Sequence, residues 1–222
     1  MTDQEWLTCT DLNVMLGFLH GKASDRKLRL FAVGCCRQIW RQIKSHACQQ
    51  AVESSELFAD GLLDDKRLRN AERRVAEEAS LLMSEASLMM RLAKYAQRDA
   101  ARAVVEVARK RLNPAGVAYL AAEAMRFAPG RAKDQCSLLR DLFPKPFRWV
   151  PSVNPTWLTW HDYTILKLAQ AIYDERDFVH LPILADALEE AGCDNADILN
   201  HCRQPGEHVR GCWVVDLLLD KS

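Results

Sequence analysis

Proline is missing from the first 113 residues of this 222-residue chain, and glycine is missing between Gly61 and Gly116. A stretch that long without either breaker, rich in Ala, Leu, Arg and Glu, is helical on intrinsic propensity. Alternating β-branched runs and Asn-Gly turns are lacking as well, which counts against any sheet. No apolar run approaches the ~18 residues of a membrane-spanning helix. The N-terminus, MTDQEWLTCTD, has neither the basic leader nor the apolar segment of a signal peptide, so a cytoplasmic protein without membrane contact is expected. An excess of charge of one sign is absent too. The 30 Lys and Arg balance the 30 Asp and Glu, which counts against a non-specific nucleic-acid binder. No Gly-x-Ser-x-Gly, Gly-rich phosphate loop or His-Glu-x-x-His is found, so the usual hydrolase, nucleotide-binding and zinc-protease signatures are excluded.

The chain is 49% hydrophobic and 27% charged, a globular composition able to build a core without staples. Its patterning predicts an all-α fold of about nine helices. Asp11 or Thr10 can cap a first helix that ends at Gly21, and Ser24 can cap a second with Leu28, Phe31, Cys35 and Ile39 on its inner face. A third helix is expected over about 47–59. Residues 64–112 contain no helix breaker and read as one long helix or as two with a break near Ser84 to Ser87. Pro114 opens another, Pro129-Gly130 closes it, and a short helix over 131–142 follows. Four prolines in FPKPFRWVPSVNPTWL, residues 143–158, prevent a continuous helix and predict an extended strap carrying Phe147, Trp149 and Trp157. Helices are then expected over about 162–176, 181–191, 195–203 (capped by Asp194) and 209–219.

The expected organisation is an N-terminal helical bundle over 1–142 with an Ala-rich variable middle at about 62–128, the strap at 143–158, and a compact C-terminal helical unit over 159–222. The last helix is so apolar that Trp213 and Leu217 are expected to pack back on the N-terminal helices near Phe31 and Cys35. Residues 1–150 carry 25 basic and 18 acidic groups, whereas 151–222 carry 5 and 12, so the two parts have opposite sign.

The chain has 8 cysteines, which in a reducing compartment are thiols or metal ligands rather than disulfides. The densest polar constellation is Cys193, His201, Cys202, His208 and Cys212. Of these, Cys193, Cys202, His208 and Cys212 are the candidate ligands of one tetrahedral Zn²⁺, although their spacing fits no standard zinc pattern. Against that stands the ordinary behaviour of free cysteine as a small buried hydrophobe, which also accounts for the adjacent Cys35 and Cys36. Thiol catalysis would pair Cys202 with His201 and Asp197, or Cys212 with His208 and Asp216, but neighbours on one helix, such as His201 and Cys202, diverge. Asp186 lies inside the apolar run 184–188 and calls for a cation, with Arg203 and Arg210 the candidates. The basic clusters at 66–74 and 109–111 have acidic neighbours and no accompanying recognition motif.

Two stretches carry a family resemblance: EWLTCTDLNVMLGFLHGKASDRKLRLFAVGCCRQIW at 5–40, and LTWHDYTILKLAQAIYDERDFVHLPILADALEEAGCDNADILNHCRQPGEHVRGCWVVDLLL at 158–219. Together they resemble a large group of paralogous bacterial proteins that share these ends around a variable Ala-rich middle. Within the second, LPILADALEEAG is similar to the core of the repeat-companion domain, with Leu184 and Ala187 where that domain has Tyr and Trp. The resemblance implies a bacterial, intracellular protein and no particular activity. The sequence thus favours a non-enzymatic helical module that binds another protein. The alternative is a metal-dependent or thiol enzyme built on the C-terminal Cys, His and Asp residues.

Overall fold

The structure, a computed structural model, describes residues 1–84, 91–125, 135–144 and 152–221, without the side chains of 80–84, 91–96 and 125. Among the described residues it holds twelve α-helices, one 3₁₀ turn and no strand, so the fold is all-α. No helix among them is long and apolar enough to cross a membrane. The expected helix end at Pro129-Gly130 and the strap residues Phe147 and Trp149 lie outside the described residues. The chain divides into two compact units: Cys9–Cys136, and Met1–Thr8 together with Ser137–Ser222.

The Cys9–Cys136 unit is built on α2 (Leu12–Leu19), α3 (Asp25–Gln38), α4 (His46–Ala59), α5 (Asp65–Ser84), α6 (Arg91–Ala108) and α7 (Pro114–Met125). Polar caps start the early helices, at Asp11 and Ser24 as expected and at Ser45 in addition. Asp11 accepts from the N–H groups of Asn13 and Val14, and Ser24 and Ser45 accept from Lys27 and Cys48. Gly21 stops α2's continuation with a φ of 72°, a left-handed value that costs glycine little. Helix α3 is central: it buries Leu30 to Cys36 and packs on α4, α6 and α7. Helices α5 and α6 pack side by side and both on α4, so the breaker-free stretch is two helices and not one rod. Alanines 100, 101, 103, 118, 121 and 124 are buried along α6 and α7, where their small side chains allow close helix approach. Buried Arg29 donates to the carbonyls of Val107, Arg109 and Lys110, satisfying the exposed carbonyl end of α6.

In the second unit α1 (Asp3–Thr8) is tied down by Trp6, whose indole N–H donates to the Phe143 carbonyl at 3.0 Å. Helix α8 (Gln135–Leu142) follows, the division between units falling after Cys136. Helix α9 (Pro155–Glu175) starts inside the expected strap, with Asn154 as its cap and Pro155 in its first turn, where proline is tolerated. It is broken at Trp160–Tyr163, with left-handed φ at His161, Asp162 and Tyr163. The 3₁₀ turn Phe178–His180, α10 (Leu181–Glu190), α11 (Ala196–Arg203) and α12 (Trp213–Leu218) complete it.

Two expected boundaries are corrected. Asn195, not Asp194, caps α11, because its side chain accepts from Asp197 and Ile198. Helix α12 begins only at Trp213, since Gly211 has a φ of 91° and Cys212, with a ψ of 127°, is not helical. Trp157, Ile165, Ile172, Leu184, Ile198 and Trp213 share one core, so Trp213 is buried within its own unit, while Phe31 and Cys35 are buried in the other. Asp186 meets Arg203 at 2.7 Å, on the solvent face of α10 opposite buried Leu181, Leu184 and Leu188. Arg210 instead donates to the carbonyls of Tyr173 and Asp174 at the end of α9.

Candidate metal centre

Helix α8 buries Leu138, Leu139 and Leu142, and Asp141 is drawn in beside them to 3% exposure. A carboxylate so placed must be compensated. Its partners come from the other end of the unit. His201 stands on the inner face of α11, between buried Ile198 and Cys202. His208 lies in the segment between α11 and α12. The turn that follows folds back through a Cys212 N–H to Val209 carbonyl bond of 2.9 Å and the left-handed Gly211. That turn delivers the Val209 N–H to Asp141 Oδ2 at 2.9 Å and places the Cys212 thiol at the head of α12.

One donor atom from each of Asp141, His201, His208 and Cys212 lies within 4.8 Å of all the others. His201 Nε2 is 3.2 Å from Asp141 Oδ1 and 3.2 Å from Cys212 Sγ. His208 Nδ1 is 2.6 Å from Asp141 Oδ1 and 4.0 Å from Cys212 Sγ. Zinc bonds of about 2.0–2.3 Å in a tetrahedron require donor–donor edges of ~3.3–3.6 Å. The four measured edges straddle that range.

The electrostatics follow from burial and proximity. Burial pushes the Asp141 carboxyl up, but hydrogen bonds and charge from His201 and His208 pull it below its ordinary value. Burial pushes His208 down, and Asp141, assisted by the Gln204 carbonyl, more than reverses this, so its shift is upward. Cys212, fully buried and next to that carboxylate, is pushed well above the ordinary thiol range. His201 Nδ1 faces the Gln204 side-chain amide at 3.2 Å, and its ring lies 5.2 Å from that of Trp213. His208 Nε2 and the indole nitrogens of Trp157 and Trp213 are buried with no hydrogen-bond partner among the described residues.

Of the four sequence candidates, His208 and Cys212 are in this group. Cys193 and Cys202 are not; both are buried in the core of the unit. Burial and the Asp141 charge push Cys202 to about 12. His201 joins from the wider constellation, and Asp141 is not among the sequence candidates. The one signal for it was an acid inside the apolar run Leu138-Leu139-Arg140-Asp141-Leu142, the same signal that singled out Asp186. A cavity of about 1060 Å³ adjoins the group, with Asp141, His201 and His208 among its lining residues. Comparison with family models, curated proteins and solved structures gave no match to the chain.

Proposed function

We propose that the C-terminal unit is a Zn²⁺-binding helical module, with Asp141, His201, His208 and Cys212 as the ligands. The observation that carries this reading is the convergence of four donors of zinc-binding type, from α8, α11 and the 208–212 turn, on one buried point where all four lie within 4.8 Å of one another. Without a cation, a carboxylate, a thiol and two imidazoles crowd one buried site; with one, their lone pairs share a single partner. Turning over the Gln204 amide lets it accept from His201 Nδ1–H and frees Nε2 for the metal, the outer-shell support usual for a ligating histidine.

Four protein donors are the set of a structural site, which supports the non-enzymatic reading over an enzyme. Thiol catalysis is disfavoured further, because Cys202 and Cys212 are buried with raised pKa values, the reverse of an activated nucleophile. The rest of the reading comes from the sequence: a cytoplasmic bacterial protein of the paralogous group resembled by 5–40 and 158–219, acting on a protein partner. Elemental analysis of the reduced, purified chain tests the metal reading. About one zinc per chain is expected, falling to near zero in Cys212→Ala and His208→Ala. A folded wild-type chain that takes up no Zn²⁺ or Co²⁺ overturns it.

A further inference from the structure

Two exposed faces, one on each unit, have complementary chemistry. In the Cys9–Cys136 unit, α4 and α5 pack side by side and leave a groove of about 420 Å³ between them. Leu57 and Leu63 border it, and Arg67 and Arg74 stand two turns apart along its α5 wall, with Glu53 on the α4 wall. Both arginines are exposed, and among the described residues neither side chain has a hydrogen bond or an ion pair. Such a groove fits a helix that carries apolar side chains at one end of a stripe and carboxylates further along.

The C-terminal unit carries that helix. Val179, Ile183, Asp186 and Glu190 recur every three or four residues through the 3₁₀ turn and α10, on one stripe. Leu181, Leu184 and Leu188 face the core, whereas Val179 is 76% and Ile183 is 53% exposed, two large apolar neighbours left in water. Asp186 meets only the exposed Arg203 among the described residues, and Glu190 has no partner among them. Seven residues separate Arg67 from Arg74 and Ile183 from Glu190, about 10.5 Å along each helix.

We propose that the chain self-associates, the Val179–Glu190 stripe of one copy lying in the α4–α5 groove of a second. With Glu190 at Arg74, Ile183 falls beside the methylene stem of Arg67 and Val179 beside Leu63. Charge selects a second copy as the occupant. Residues 1–150 have an excess of basic groups and 151–222 an excess of acidic ones, so unlike ends of two copies attract and like ends repel. The inference rests on the protein-partner part of the reading above and makes no use of the Zn²⁺ site.

Sedimentation equilibrium of the full-length chain tests it. The average mass should rise with concentration at low salt, and the association constant should fall at least about tenfold in 0.5 M NaCl. Arg67→Ala with Arg74→Ala, and separately Ile183→Lys with Glu190→Lys, should each weaken association at least about tenfold. The contact joins unlike surfaces, so mixing the two variants should restore association that stops at a one-to-one pair, one chain supplying the stripe and the other the groove. A wild-type chain that stays monomeric overturns this contact and leaves the protein-partner reading to another surface. Association that both variants retain, or a mixture that stays monomeric, overturns the pairing of these two faces. Should the Ile183 variant melt below wild type, Val179→Lys replaces it in the mixture.

Discussion

Replacing Trp213 with alanine should be close to the most damaging single change in the C-terminal unit. Its side chain is 5% exposed, lies in the core with Trp157, Ile165 and Leu184, and packs its ring 5.2 Å from that of His201. Burying about 200 Å² of indole at roughly 25 cal/mol per Å² corresponds to ~5 kcal/mol as an upper figure. Large-to-small substitutions of buried aromatics cost about 3–5 kcal/mol. A unit of this size has a total stability of only ~5–14 kcal/mol, and each kcal/mol moves its melting temperature by about 4–8 °C. Trp213→Ala should therefore lower the melting of this unit by at least ~12 °C. The assay is thermal unfolding by circular dichroism, with amide hydrogen exchange over 153–221 reporting on this unit alone. Trp213→Phe should behave differently. The indole N–H is buried with no acceptor among the described residues, so deleting it should recover about 1–3 kcal/mol and offset most of the lost volume. The argument fails if Trp213→Ala melts within a degree or two of wild type, or if Trp213→Phe is as damaging as Trp213→Ala.

Three further outcomes test other parts of the structure. His161→Gly should stabilise the chain by about 0.5–1 kcal/mol, because His161 has a φ of 42°; in an unbroken helix the same change would destabilise by about as much. Urea denaturation gives the sign directly. Arg29→Met should destabilise the Cys9–Cys136 unit by about 3 kcal/mol, since three carbonyls at the end of α6 lose their donor, and Arg29→Lys should rescue only part of this because one ammonium cannot span all three. Equal stability of wild type and Arg29→Met in urea would refute it. Gly211→Ala should cost about 1–2 kcal/mol through its φ of 91° and should weaken Zn²⁺ binding in a competition assay with a chromophoric chelator; unaltered affinity would mean the turn does not set the position of Cys212.

Helix positions were legible wherever a local rule acts alone. Asp11 and Ser24 cap, Gly21 and Gly192 sit at left-handed turns, and α2 and α3 contain no proline. The misses come from competition between neighbours. Asp194 and Asn195 are both good caps, and sequence does not rank them; the side chain that reaches the Asp197 and Ile198 N–H groups does. The four prolines of 143–158 forbid a helix through the segment, yet the last of them, Pro155, stands at a helix start, where proline is an asset. Trp160 to Tyr163 contain neither Gly nor Pro, so nothing in their composition marks the break in α9.

The candidate metal centre was half legible for a related reason. Ligand chemistry can be read from residue type, so the thiols and imidazoles of 193–212 stood out, but which of them converge depends on helix faces. Cys202 and His201 are adjacent on α11, and their side chains leave the helix about 100° apart. Cys202 turns into the apolar core, while His201 turns toward Asp141 and Cys212. Asp141 lies 67 residues before His208, a separation over which spacing carries no information. What ties them is energetic: an acid placed on the buried stripe of α8 must find a compensating partner, and the turn at 208–212 brings it an imidazole, a backbone N–H and a thiol together. A buried acid in an apolar helix is therefore the better guide to such a site than the density of cysteines, provided its face is known. Asp186 carries the same sequence signal and lies on the solvent side of α10, where an exposed ion pair with Arg203 is all it needs.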